Sequence, residues 1–172
     1  MKSKIFIVVA LLIAVNFASG QTAKRSPYIG YKYKGVLVGR ALPNGVKEMG
    51  GSLIGDMEAD PVYEIATLEK GKTKMLWLNV STAKDSTGVT GWKVLDVLSF
   101  PSLLKTDYLF FYGDPGIQCT RSGKDIPNLV GLGRIYRKQA IFRPSKLWVA
   151  DLTTKKFKSI SISGIKCEYS EP

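Results

Sequence analysis

Hydrophobic and polar positions alternate most clearly between Thr73 and Phe100. There TKMLWLNVS and WKVLDVLSF flank a polar, Gly-containing connector, AKDSTGVTG. In the first run Leu76, Leu78 and Val80 would point to one face and Met75 and Trp77 to the other; a strand of this kind is apolar on both sides. The second run repeats the pattern, with Trp92 and Val94 on one face and Leu95 and Val97 on the other. Both strands are expected to be buried, with Trp77 and Trp92 in the core. PVYEIATL (Pro61 to Leu68) precedes them through EKGK, a short connection that reads as a hairpin turn.

Elsewhere the same period of two recurs in shorter pieces. YIGYKYKGVLVGR (Tyr28 to Arg40) sets Tyr31 and Tyr33 against Lys32 and Lys34. DYLFFYG (Asp107 to Gly113) and LVGLGRIYRKQ (Leu129 to Gln139) are further strands, and the glycines of GLGR mark a bulge or a close backbone approach. LWVADL and FKSISI form a hairpin across TTKK, whereas DPGIQCTRSGKDIPN reads as a long polar loop. Pro101 ends the Trp92 strand because proline has no amide hydrogen for a ladder. The pattern predicts an all-β fold: a single sandwich or small barrel of about eight short antiparallel strands. One short helix has room only in the Gly-rich passage Gly45 to Gly55 or in Ser99 to Lys105.

The first residues depart from this pattern. Lys2 and Lys4 precede an unbroken apolar run from Ile5 to Val15, followed by Ala18 and Gly20. This is the composition of a secretory leader over residues 1–20, with residues 21–172 as the exported domain. The run is shorter than the roughly twenty residues a membrane span needs. Export changes the reading of Cys119 and Cys167, which in an oxidising compartment pair as a disulfide. The formal net charge of the whole sequence is +11, and the expected leader removes only Lys2 and Lys4 of its cations, so the exported domain stays strongly basic and is directed toward polyanions, whether lipid head groups, envelope phosphates, acidic polysaccharides or extracellular nucleic acid. Intracellular nucleic acid is not expected as a partner.

Taken in order, GGSLIGD, PVYEIATLEKGKTKMLWLN, GWKVLDVLSFP and LWVADLTTKKFKSISISGIKCE resemble a family of small exported bacterial proteins common in Gram-negative and cyanobacterial genomes, whose members lack an assigned function. The resemblance implies a periplasmic or extracellular protein and supplies no catalytic residues. A further likeness is to bacterial SH3-like barrels, where a Gly-Trp pair opens a late strand as Gly91-Trp92 does here.

Candidate chemistry is sparse. The chain contains no histidine, which removes Ser-His-Asp and Cys-His arrangements and the common zinc sites. Ser81 to Lys84 and Ser163 to Lys166 match the Ser-x-x-Lys spelling, but the first ends a strand, the second sits in one, and the partner motifs are missing. DMEAD lacks the glycine and the final glutamate of a calcium loop. The sequon Asn79-Val80-Ser81 falls inside a strand that reads as buried. No catalytic residue, cofactor or metal is therefore expected.

Two stretches interleave cations with aromatics, an arrangement that neutralises anionic groups and offers stacking faces. They contribute Tyr31, Lys32, Tyr33 and Lys34, and Arg134, Tyr136, Arg137, Lys138, Arg143 and Lys146, as candidate polyanion-binding residues. The sequence thus predicts a non-catalytic exported binding or structural module, facing anionic envelope polymers or another exported protein. Two other classes stand beside it. A hydrolase built on carboxylates would show two carboxyls across a cleft, one with a raised pKa. An inhibitor or adaptor would expose an aromatic or apolar patch.

Overall fold

The alternating segments pair into two antiparallel sheets in a computed structural model that describes residues 26–34, 42–43, 45–84, 86, 89–111 and 114–170. The first sheet holds β1 (Lys32–Lys34), β2 (Val46–Ile54), β3 (Tyr63–Lys70), β4 (Thr73–Thr82) and β5 (Gly91–Phe100), in the order β1-β5-β4-β3-β2. The second holds β6 (Tyr108–Phe111), β7 (Ile117–Arg121), β8 (Lys124–Asp125), β9 (Leu129–Tyr136), β10 (Ile141–Asp151), β11 (Lys156–Ile160) and β12 (Ile165–Tyr169). Its order is β6-β9-β10-β12-β7-β8, with β11 also alongside β10. Both sheets curl, and together they form an all-β sandwich with barrel-like halves. No helix of the described residues is long and apolar enough to cross a membrane.

Alternation explains three layers of core. Ile65, Leu76, Leu78 and Phe100 from the first sheet meet Val130 and Ala150 from the second, so this cluster lies between the sheets. The opposite face of the first sheet carries Tyr33, Ala66, Leu68, Met75, Trp77 and Val94, covered in part by Tyr28 and Tyr31. The opposite face of the second sheet carries Phe110, Leu129, Phe142 and Leu147 around the Cys119–Cys167 disulfide. Those cysteines are direct cross-strand partners on β7 and β12. The two-sided apolar character of β4 is thus used on both sides, as the sequence requires. Trp77 is fully buried and Trp92 half-buried against the same outer cluster.

Several expectations are corrected. The described residues form twelve strands where about eight were expected. The Gly-rich passage is strand β2 rather than loop or helix, and the loop from Asp114 to Asn128 contains β7 and β8. Among the described residues helical geometry occurs in one 3-10 turn, Arg137–Gln139, outside both regions considered for it. Tyr28 lies in a turn before β1, and the rest of the expected Tyr28 to Arg40 strand, residues 35–40, falls outside the described residues, as does the leader. Val97 sits on the same face as Trp92, because the register shifts between Leu78 and Asn79 opposite Leu95. That extra residue flips every side chain beyond it. Ser163 lies in the turn before β12, and only Lys166 of that Ser-x-x-Lys pair is in the strand. Gly131 and Gly133 do mark a close approach: a Cβ at Gly131 would fall 2.2 Å from the Phe110 ring, and one at Gly133 2.2 Å from the Arg143 carbonyl oxygen.

Candidate functional site

The β9–β10 hairpin gathers most of the cations singled out in the sequence. Register places Arg134 directly opposite Arg143, and Tyr136 opposite Ile141. Residues 143 and 146 would ordinarily point to opposite faces. A register shift between Pro144 and Lys146 makes Ser145 the extra residue, so Lys146 pairs with Leu132 and returns to the face of Arg143. The Ser145 hydroxyl donates to the Leu132 carbonyl at 3.0 Å and pins the bulge. Nearer the sandwich this face carries Val130, Leu132 and Trp148 into the inter-sheet core. Toward the hairpin tip it becomes exposed and cationic.

Partners for these cations are few. The Arg143 guanidinium carbon lies 4.6 Å from the Tyr136 ring centroid, and one of its nitrogens donates to Gln139 Oε1 at 3.3 Å. Stacking of this kind fixes the guanidinium plane while leaving its charge available. Arg134 Nε approaches Asp107 Oδ1 at 3.7 Å, but half of the arginine side chain remains exposed. Like charges directly opposite one another in a sheet are destabilising, and Arg134 with Arg143 is such a pair. Arg137 and Lys138 extend the positive surface onto the 3-10 turn at the tip, both exposed.

The Tyr31 to Lys34 stretch is not brought to this hairpin: its strand β1 pairs with β5 at the edge of the other sheet. Its tyrosines are committed to packing. Tyr31 stacks on Tyr33 with centroids 6.3 Å apart and meets Trp77 edge-on at 6.2 Å. The buried Tyr33 hydroxyl donates to Glu64 Oε2 at 3.2 Å. Lys32 and Lys34 remain exposed, Lys32 directly opposite Lys93.

A polar set inside the first sheet escaped the sequence reading. Asn79, fully buried, donates from Nδ2 to the same Glu64 Oε2 at 3.0 Å, which makes the sequon unreachable for modification. Burial pushes the Glu64 carboxyl above its ordinary range, against the lowering effect of the hydrogen bonds from Asn79 and Tyr33. Glu48 is raised as well, by burial first and then by the charge of Glu64. Room for the Glu64 side chain comes from Gly51, where a Cβ would stand 3.3 Å from Glu64 Oε1. Tyr33 is pushed far above the normal phenol range by burial and then by Glu64. The signal was present in the strand pattern: Asn79 shares the parity of Met75 and Trp77, a polar residue aimed into an apolar face.

This arrangement bears on catalysis. Two carboxyls with raised pKa values match one requirement of a carboxylate hydrolase. Yet Glu64 Oε2 is already occupied by two protein donors, and the rings of Tyr31 and Tyr33 pack on the same face. Ser81, the serine of the first Ser-x-x-Lys match, uses its Oγ to accept the Val62 amide at 2.8 Å. Asp56 of the acidic DMEAD turn accepts the Glu58 amide at 2.9 Å, the bond of a local turn. Comparison of the chain with known proteins found no matching family model, no matching curated protein and no matching solved structure.

Proposed function

We propose that this protein is a non-catalytic exported binding module that engages anionic polymers of the cell envelope or extracellular space through the face of the β9–β10 hairpin. The observation that carries this reading is the convergence of Arg134, Arg143 and Lys146 on one exposed face, assembled by a bulge and framed by Tyr136. A cross-strand arginine pair costs stability unless something anionic lies over it. Guanidinium forks also match phosphate, sulfate and carboxylate geometry. The disulfide fits an oxidising compartment, and the bacterial family resemblance belongs to the same proposal. Lys32, Lys34 and Lys93 form a separate cationic edge that contributes attraction at longer range.

Heparin and a short DNA duplex serve as test polyanions. Binding should weaken steeply with salt, and the Arg134→Gln/Arg143→Gln protein should lose affinity for both. For the duplex, the slope of log affinity against log salt should shrink by about 0.9 for each phosphate contact removed. Lys32→Gln/Lys34→Gln should have the smaller effect. Binding that is undetectable at low salt, or that survives high salt and the arginine substitutions unchanged, overturns the reading. A protein partner would then lead, through the exposed Met49, Leu53 and Met57 on and beyond β2.

A further inference from the structure

Strand β10 changes neighbours along its length. It pairs with β11 from Leu147 to Asp151 and with β12 where Ile141 stands opposite Glu168. Counted on from that pair, Arg143 would face Lys166, but there the two strands no longer pair. A cavity of about 430 Å³ opens between them, lined by Ile141, Arg143, Lys166 and Glu168 and by Ile162 from the turn before β12. That volume lies within the range of small-molecule sites.

The three charged residues of this lining lie on one face of the sheet. Arg143 shares the face of Ile141, two positions along β10 with no bulge between them, and Lys166 shares that of Glu168 in the same way on β12. Ile141 stands opposite Tyr136 as well as Glu168, and Arg143 opposite Arg134, so this is the face of the arginine hairpin. Phe142, Ile165 and Cys167 belong to the other face and pack into the half-barrel core. Two rows cross the strands: Arg134, Arg143 and Lys166 in one, and Tyr136, Ile141 and Glu168 in the next. Diagonal neighbours in a sheet stand about 7–8 Å apart, which sets Glu168 one row from the cations. All three charged side chains are exposed, and among the described residues Glu168 makes no ion pair with Arg143 or Lys166.

We infer that this face takes a phosphate ester carrying a primary amine on a short alkyl linker, a zwitterionic group rather than a bare anion. The phosphate lies in the row of cations between Arg143 and Lys166, the linker crosses Ile141, and the ammonium donates to Glu168. The inference rests on the reading of this face as anion-binding and narrows its ligand. Tyr136 holds the plane of the Arg143 guanidinium, whose fork matches phosphate oxygens. An ester without the amine leaves Glu168 beside the phosphate with no cation between them. The carboxylate thus acts as a repulsive element against bare anions and an attractive one toward the zwitterion.

The test uses the full disulfide-bonded chain with phosphoethanolamine and its N-acetyl derivative, which keeps the phosphate and linker but has no ammonium. The Tyr136 ring and Ile141 methyl resonances report occupancy by NMR, while the methyl resonances of Ile65 and Val94 in the other sheet report the fold. Phosphoethanolamine should bind about threefold more tightly than the derivative, a difference in the range of an exposed ion pair. Glu168→Gln should erase that preference, and Arg143→Gln/Lys166→Gln should weaken binding of both probes. Vesicles of phosphatidylcholine with and without phosphatidylethanolamine separate two sources of the group. Capture that needs phosphatidylethanolamine and is lost in Glu168→Gln supports the assignment with a lipid head group as ligand; binding of the free probe without capture supports it with a soluble or polymer-borne group. Equal affinity for the two probes in the wild-type protein, a preference that survives Glu168→Gln, or no saturable shift with either probe overturns the inference. Heparin binding measured in parallel reports the anion-binding reading by itself. Heparin bound with no preference for the amine overturns this inference alone, and a preference for the amine without heparin binding overturns that reading alone.

Discussion

Trp77 and Glu64 occupy the same face of the first sheet and show opposite balances of burial. Trp77 meets Tyr28 at 5.1 Å and Tyr31 at 6.2 Å, while its Nε1 has no acceptor among the described residues; its contribution is argued from packing area. Trp77→Ala should cost about 3–5 kcal/mol in urea unfolding, and Trp92→Ala, at a half-buried site, distinctly less. Glu64 gains hydrogen bonds from Tyr33 and Asn79, yet burial still raises its pKa. A carboxyl whose folded-state pKa exceeds the unfolded value favours folding while protonated. That contribution is complete below the unfolded pKa and is lost as pH rises through the folded one. Glu48 behaves in the same direction. Glu64→Gln keeps an oxygen to accept both hydrogen bonds and removes the charge. It should therefore be more stable than the wild type at neutral pH, with the advantage shrinking as pH falls through the carboxylate range. Unfolding curves at several pH values decide this, and a variant less stable at neutral pH would show that the ionised carboxylate is an asset. Asp151 shows the reverse case on the surface, held down to about 2 by its hydrogen bond from Lys158, with backbone support from Thr154.

Elements were legible in proportion to how regularly they alternate. β3, β4 and β5 read directly from the sequence because each is long and its apolar positions keep a period of two over most of its length. β2 was hidden by Gly45, Gly50 and Gly51, which signal turns locally but here allow a bulge and the approach of Glu64. β7 was hidden by the polar Gln118, Thr120 and Arg121 around Cys119, since only alternate side chains face the half-barrel. Bulges set faces that a period of two does not show: Leu95 moves Val97 off its expected face, and Ser145 brings Lys146 onto the arginine face. Half of the candidate site was therefore visible as composition, and its geometry was not. The disulfide was legible from the cysteine count taken with the expected export, and it ties β7 to β12 across 48 positions of sequence. Cys119→Ala/Cys167→Ala should lose about 4 kcal/mol by the loop-entropy relation, measured against the oxidised protein. A loss near zero would mean that the rest of the half-barrel closes without it. Gly131→Ala should cost at least the roughly 1–3 kcal/mol of an overpacked core, because the Phe110 and Leu147 side chains must both move.

At the scale of the whole molecule, positive charge is a burden on stability and, in the proposed function, the means of binding. Arg134 faces Arg143 and Lys32 faces Lys93, so repulsion is built into both sheets. The ion pairs Arg134 with Asp107 and Lys158 with Asp151 offset it locally, at partly exposed sites where such pairs contribute little. Screening should then stabilise the fold: the Debye length falls from about 30 Å at 0.01 M salt to about 3 Å at 1 M, which removes repulsion between exposed cations. The melting temperature is expected to rise with sodium chloride. At low salt, heparin at about one hundred times its dissociation constant should add about 2.7 kcal/mol through binding to the folded state alone. For a chain of this size that increment corresponds to a rise of about 5–10 °C. The two effects oppose each other in combination, since the salt that relieves repulsion also dissolves the complex. Heparin should thus raise the melting temperature strongly at low salt and hardly at all near 1 M, where the free protein is at its most stable. A melting temperature that falls as salt is added would show that attractive pairs outweigh the repulsive ones. A heparin increment that persists at high salt would place the contact somewhere other than the arginine face.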